Sequence, residues 1–299
     1  MGVTEHILSL TAPEFVVVVV AGILYGIGAI LLFDKSKKYK FFLPYFYLGL
    51  SALLMAVGKV FDIVWDKSEG IKNDYPLHAS LILQTIGTSV VILALFRLLQ
   101  VWHQVGLRRG GSGTRTLSIL APVVTFLVMV VSVVGDVLIV KQDQAAEEEG
   151  GEEDVDQTHM ALMIKFAGSL GNIVLVLVYI GLVIYLAFVT KRRATVSTPT
   201  TANLGSIRSN PSLLVPVLLI IGTLILIRSA FYMAMVGTMA FSEDDIEEQE
   251  NMGWPIYVGL IVVPEIAVIL IAFIYDLTQV KNGVEQLHQG FTSLDREMA

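Results

Sequence analysis

Two ionisable residues lie inside long apolar stretches near the C-terminal end of the chain. Arg228 lies in the stretch 213–241 and Glu265 in the stretch 254–275. A charge at bilayer depth costs roughly 2.5–3.5 kcal/mol on insertion scales, so such a residue normally faces a partner or a cavity. Because the two stretches are consecutive and the charges have opposite sign, the sequence predicts an Arg228–Glu265 ion pair. This pair is the first candidate for a functional centre.

Apart from Arg97, which lies near the inner end of its stretch, four further charges lie within apolar stretches, namely Lys59, Asp62, Asp136 and Lys165. Lys59 and Asp62 are three residues apart, so they share one face of a helix. We expect all four in the outer third of the membrane and the Arg228–Glu265 pair near its midplane. Three positive and three negative charges predict a neutral, mutually paired set, as a low dielectric demands. Polar companions that extend the network are predicted at Gln84, Thr85, Asn172 and Tyr232.

Two interpretations of these charges stay open. The first is an outward-facing polar cavity with Arg228 and Glu265 as its floor. The second is a set of interhelical ion pairs that only hold the helices together, the outer ones reaching the surface by extending their side chains. Pro264 removes one backbone donor beside Glu265 and predicts a bend near the centre of that stretch.

The elements that position these residues are predicted to be membrane-spanning helices. The 299 residues are 55% hydrophobic and 16% charged, with a mean hydropathy of +0.71, which is typical of a polytopic helical membrane protein. We predict an all-α fold with one seven-helix transmembrane domain over 1–276 and a cytoplasmic amphipathic tail over 277–299. The predicted spans are 15–33, 41–65, 78–102, 116–140, 160–189, 213–241 and 254–275.

The distribution of basic residues predicts the orientation. Of the twenty Lys and Arg residues, thirteen lie in the connections and tail on one side and three in those on the other. Lys and Arg are enriched in cytoplasmic loops. The N-terminus is therefore expected outside and the C-terminus in the cytoplasm. The membrane is expected to be the plasma membrane or an endomembrane.

The loops suggest some partners and exclude others. The loops 103–115 and 191–212 are basic or polar and are candidate contacts for a cytoplasmic partner. The acidic loop 144–157 is predicted to be disordered, because it repeats like charges around Gly150 and Gly151. Membrane lipids are expected partners. Nucleic acid is not, because the basic residues form only small loop clusters.

Most enzyme classes find no support in the sequence. The chain has no cysteine, and its histidines lack metal-ligand spacing, so no catalytic residue, metal or cofactor is predicted. A nucleophile elbow and a P-loop are also missing. One enzymatic alternative stays open: a carboxylic acid in an apolar pocket could protonate an alkene or epoxide, as in small fungal membrane-bound terpene cyclases. The candidate acids are Asp62, Asp136 and Glu265.

Three short motifs resemble a fungal family of seven-helix membrane proteins of unknown function. The motifs are LQTIGTSVVILALFRLL at 83–99, LIRSAFYMAMV at 226–236 and VPEIAVILIAF at 263–273. That family is in turn similar, more distantly, to the RTA-like lipid-translocating and stress-resistance proteins of fungi. Ala230 and Met233 depart from the RTA-like pattern, which is more polar there and contains arginine. The resemblance implies a fungal source and seven helices, and it carries over Arg228, Tyr232 and Glu265.

Three functions follow as hypotheses. The first is a membrane protein that binds or moves a small amphipathic molecule or lipid through an outward-facing polar cavity. The second is a seven-helix sensor whose inner loops contact a cytoplasmic partner. The third is the membrane-embedded, terpene-cyclase-like enzyme, and a non-enzymatic role is favoured over it.

Overall fold

A computed structural model describes residues 12–39, 43–67, 75–106, 112–149, 155–196, 211–241, 256 and 258–275. These residues are almost entirely helical, and none of them lies in a strand. In chain order the helices are α1 (Ala12–Lys38), α2 (Leu43–Lys67), α3 (Tyr75–Gly106), α4 (Ser112–Glu149), α5 (Val155–Val196), α6 (Pro211–Phe241) and α7 (Val263–Ile274). A π-helical turn, Val258–Val262, leads directly into α7.

Helices α1 to α6 are each long and apolar enough to cross a membrane. The faces of these helices that point away from the bundle are apolar, like those that point inward. For example, Ile30 is 70% exposed, and Ile184 and Phe188 are also exposed. A helix that is hydrophobic all round suits either a protein core or a membrane. Six such helices indicate a multi-pass integral membrane protein.

Several helices extend beyond the predicted spans. Helix α1 continues to Lys38 instead of ending at residue 33, and α4 continues to Glu149. Residues 144–149 and 155–157 are therefore helical, and the prediction of disorder there is wrong. The physical reason is that Ala, Glu and Gln are strong helix formers that extend an existing helix at little cost. Residues 150–154 lie outside the described part of the chain.

The polar loops are also partly helical. Residues 103–106 and 112–115 belong to α3 and α4, and residues 191–196 belong to α5. The predicted amphipathic tail at 277–299 lies outside the described residues, so its prediction is not tested.

The seventh apolar helix is short. The described part consists of the π-helical turn of five residues and of α7, which has twelve. Pro264 lies in the first turn of α7, where its missing N–H breaks no α-helical hydrogen bond. The irregularity expected beside Glu265 thus takes the form of a π-helical turn.

The seven helices pack in chain order around a closed ring. Each helix contacts the next, α7 packs between α6 and α1, and α3 also contacts α5. The interior is filled by large apolar side chains, among them Tyr25, Tyr45, Tyr179 and Met55. This closure brings residues from opposite ends of the sequence together.

Helices α4 and α5 approach each other very closely. A Cβ placed on Gly135 would lie 2.7 Å from the Lys165 Cα, and one placed on Gly168 would lie 2.8 Å from the Ser132 Cα. Small residues allow such backbone contact between membrane helices. The contact positions Asp136, which follows Gly135, beside Lys165.

Candidate functional site

Arg228 and Glu265 form an ion pair between α6 and α7, as the sequence predicts. The Arg228 Nε donates to the Glu265 Oε1, and the two side chains are 9% and 10% exposed. The Tyr25 hydroxyl on α1 donates to the other carboxylate oxygen, Glu265 Oε2, at 2.5 Å. Glu265 therefore joins three helices through both of its oxygens.

A second ion pair joins α4 and α5. The Lys165 Nζ lies 2.6 Å from the Asp136 Oδ1, and the Asp136 side chain is fully buried. The Thr85 hydroxyl on α3 donates to the Asp136 Oδ2 at 2.8 Å. Asp136 thus also joins three helices through its two oxygens.

Tyr232 lies between these two ion pairs. Its ring centroid is 5.4 Å from the Lys165 Nζ and 5.8 Å from the Arg228 Cζ. Tyr232 is one helical turn beyond Arg228, so both lie on the same face of α6. The negative face of an aromatic ring attracts cations at this range. Tyr232 is therefore the link from α5 to α6.

The third ion pair lies within α2. The Lys59 Nζ is 2.9 Å from the Asp62 Oδ2, and both side chains are buried. The Gln84 Nε2 on α3 lies 3.4 Å from the same Asp62 oxygen and 2.7 Å from the Ser80 Oγ. Gln84 contacts α2, whereas its neighbour Thr85 contacts α4.

We call these side chains together the polar belt. Its members are Tyr25 of α1, Lys59 and Asp62 of α2, Gln84 and Thr85 of α3, Asp136 of α4, Lys165 of α5, Arg228 and Tyr232 of α6, and Glu265 of α7. Every helix contributes to it, and its three cations balance its three carboxylates. A change at Glu265 or at Asp136 therefore alters partners on two other helices.

The belt contains nine of the ten candidate residues and leaves Asn172 aside. Asn172 is 9% exposed on α5, and its Oδ1 has no hydrogen-bond partner. Sequence reasoning missed Tyr25. The available signal was a tyrosine inside an apolar span, since a buried tyrosine hydroxyl usually finds a partner.

The space beside the Arg228–Glu265 pair is small. A cavity of about 20 Å³ borders the pair, and its surface is almost all carbon, from residues such as Met55, Ile225 and Ile269. This volume is close to the minimum that one water molecule needs. In the part of the chain that the structure describes, the predicted outward-facing cavity is therefore closed at its floor.

The chemistry of the belt is that of paired charges. Each of the carboxylates Asp62, Asp136 and Glu265 lies beside a cation. A carboxylic acid that protonates an alkene instead needs apolar surroundings that favour its neutral form. The belt thus fits ion pairing better than acid catalysis. Among the described residues, no three His, Asp or Glu side chains lie close enough to hold a metal ion.

Comparison of the chain with protein-family models, with curated protein sequences and with solved structures finds no match. The resemblance to the fungal seven-helix family stays a prediction from three short motifs.

Proposed function

We propose that this protein crosses the membrane seven times, with its N-terminus outside, and binds or moves a small amphipathic molecule at the polar belt. The distribution of Lys and Arg supports the orientation. The apolar stretch that contains α7 supports the seventh crossing. The source would be fungal if the resemblance of the three motifs holds.

The observation that carries the proposal is the set of six paired charges inside an apolar bundle. Apolar side chains of similar volume often hold helices together as well as a buried ion pair, or better. Charges inside a membrane protein are costly and commonly mark paths for substrates or ions. A belt with ion pairs within α2, between α4 and α5 and between α6 and α7 therefore supports a binding role over a purely structural one.

An amphipathic molecule suits the belt because its charged head can replace one partner of an ion pair. A cationic head would pair with Glu265 and an anionic head with Arg228. Its apolar tail would lie among residues such as Met55 and Ile225, which line the adjoining cavity. Because this cavity has a volume of only about 20 Å³, binding requires the helices to move apart.

Helix α7 is the element best suited to that movement. It is the shortest of the seven, it carries Glu265 in its first turn, and a π-helical turn precedes it. Turns of this kind are frequent at functional sites. We infer that α7 shifts when a ligand enters and that the described conformation is the closed one.

Contacts at the C-terminal end of α7 favour a second candidate function, that of a sensor. The Lys35 ammonium on α1 donates to the Phe273 carbonyl and lies 4.7 Å from the Phe273 ring centroid. A shift of Glu265 would therefore also move a contact near the predicted cytoplasmic surface. A ligand at the belt could in this way alter the inner loops.

Thermal unfolding in detergent tests the proposal. Three single-chain probes are added in turn: a long-chain amine, a long-chain fatty acid and a lysophosphatidylcholine. We expect one of these to raise the Tm of the wild type and to leave unchanged the Tm of the variant that lacks the pairing residue, which is Glu265→Gln for a cationic head and Arg228→Gln for an anionic one. Asp34→Asn, which removes an exposed carboxylate outside the belt, is the matched control and should keep the response. The absence of any response in the wild type, or the same response in the variant that lacks the pairing residue, would refute the proposal.

The probe that binds then separates the candidate functions. Accumulation of the probe in proteoliposomes under an imposed gradient supports transport. Altered protease cleavage at 191–212 without accumulation supports a sensor. Turnover of a polyprenyl substrate that is lost in Asp62→Asn, Asp136→Asn or Glu265→Gln would support the cyclase instead.

A further inference from the structure

Helices α1 and α7 form an apolar groove on the outer surface of the bundle. The groove has a volume of about 60 Å³ and is lined by residues that include Leu24, Ile27, Leu31, Leu270 and Phe273. Three of these are substantially exposed: Leu24 at 40%, Ile27 at 50% and Leu270 at 49%. The groove is therefore open to the apolar surroundings of the bundle.

A glycine fixes the depth of this groove. A Cβ on Gly28 would lie 2.6 Å from the Ile269 Cγ2, so a larger side chain there would have to displace the Ile269 side chain. Leu24 and Leu31 lie about one turn before and after Gly28 on the same face of α1. The apolar lining on α1 thus runs for about 10 Å along the helix axis.

One end of the groove is basic. Lys35 and Lys38 continue the face of α1 that carries Leu24, Gly28 and Leu31, because the spacing alternates between four and three residues. The Lys35 ammonium lies 4.7 Å from the ring centroid of Phe273, which lines the groove. Lys38 is exposed one turn farther along.

We propose that the α1–α7 groove binds one acyl chain of an anionic phospholipid, with the lipid phosphate at Lys38 and beside Lys35. An apolar groove that leads to two cations complements a molecule with a long apolar chain and a negative head. The proposed orientation places this end at the cytoplasmic leaflet, where anionic lipids create a negative surface potential. The inference rests on the orientation given under the proposed function but not on ligand binding at the polar belt, because the groove lies on the outside of the bundle.

Native mass spectrometry of the purified protein tests the role of the basic end. The protein is equilibrated with equal amounts of phosphatidylserine and phosphatidylcholine that have the same acyl chains, and the ratio of retained lipids is measured. Lys38→Gln and Lys37→Gln each remove one exposed cation from the last turn of α1, but only Lys38 lies on the groove face. We expect Lys38→Gln to lower the retention ratio about five-fold and Lys37→Gln to leave it unchanged.

A pair of tryptophan substitutions tests the groove itself. Ile27 lines the groove, whereas Ile30 is 70% exposed elsewhere on α1. Ile27→Trp should fill the groove and reduce phosphatidylserine retention, and Ile30→Trp should not. Should Ile27→Trp fail to fold, the two lysine variants decide.

Four results would overturn the inference. The first is equal retention of the two lipids by the wild type, and the second is the same ratio in both lysine variants. The third is the same retention in two folded tryptophan variants. Preferential retention of an added sterol over both phospholipids would also overturn it.

Discussion

Glu265 accepts hydrogen bonds from Arg228 on α6 and from Tyr25 on α1, so both of these side chains depend on its negative charge. In Glu265→Gln, Arg228 would stay buried without a counter-charge. In Arg228→Gln, Glu265 would stay buried without one. Breaking a buried ion pair by removing one partner costs about 3–5 kcal/mol. We expect each single variant to unfold at a clearly lower temperature than the wild type.

The exchange of the two partners completes this prediction. Arg228→Glu combined with Glu265→Arg restores opposite charges but not the acceptor for Tyr25, so it should recover part of the lost stability. Thermal unfolding of the single and combined variants in one detergent measures this coupling. Equal damage from the single variants and the exchange would show that the pairing does not matter.

The hydrogen bond from Tyr25 is a separable contribution. Tyr25→Phe leaves the ring in place and removes the donor to Glu265, which should cost about 1–3 kcal/mol because the acceptor is buried and charged. Tyr185→Phe is the matched control, since Tyr185 is 58% exposed on the outer face of α5. Unfolding of both variants checks the difference, and indistinguishable Tm values would argue against a role for this bond.

Helices α4 and α5 approach each other closely at Gly135. Gly135→Ala would place a Cβ 2.7 Å from the Lys165 Cα, which forces the helices apart at the Lys165–Asp136 pair. Such overpacking typically costs about 1–3 kcal/mol. Gly26→Ala is the control, because a Cβ at Gly26 meets nothing within 4 Å, and it should be neutral or stabilising. Equal thermal stability of the two variants would contradict the packing argument.

The sequence could predict the partners in some of these contacts but not in others. Lys59 and Asp62 pair because of their spacing in one helix, and Arg228 and Glu265 because their spans are consecutive. The partnership of Asp136 with Lys165 follows from the close approach at Gly135, and the contact of Tyr25 with Glu265 from the closure of α7 on α1. Neither depends on local sequence, so a neutral paired set was predictable but these partners were not.

The local sequence could not predict the π-helical turn before α7 either. Pro264 predicts an irregularity, but whether it becomes a kink or a π-helical turn depends on packing against α6 and α1. The closed cavity has the same origin. Its volume is set by how side chains such as Met55 and Ile269 meet across helices, which periodicity does not describe.

For the whole molecule, the orientation and the seventh crossing can be tested together. The chain has no cysteine, so single cysteines report their side of the membrane through a membrane-impermeant maleimide. We expect Glu148→Cys and Glu248→Cys to be labelled in intact cells, and Ser197→Cys and Ser293→Cys only after permeabilisation. Labelling of both Glu248→Cys and Ser293→Cys from outside would mean that the seventh helix does not cross.

A double variant, Arg228→Met with Glu265→Met, tests whether the Arg228–Glu265 pair serves ligand binding. If the pair serves ligand binding, the double variant should be at least as stable as the wild type, because apolar replacements of a buried pair are often neutral or stabilising. It should also lose the Tm response to the amphiphile that stabilises the wild type. A double variant as unstable as the single ones, or one that keeps the full response, would contradict the account.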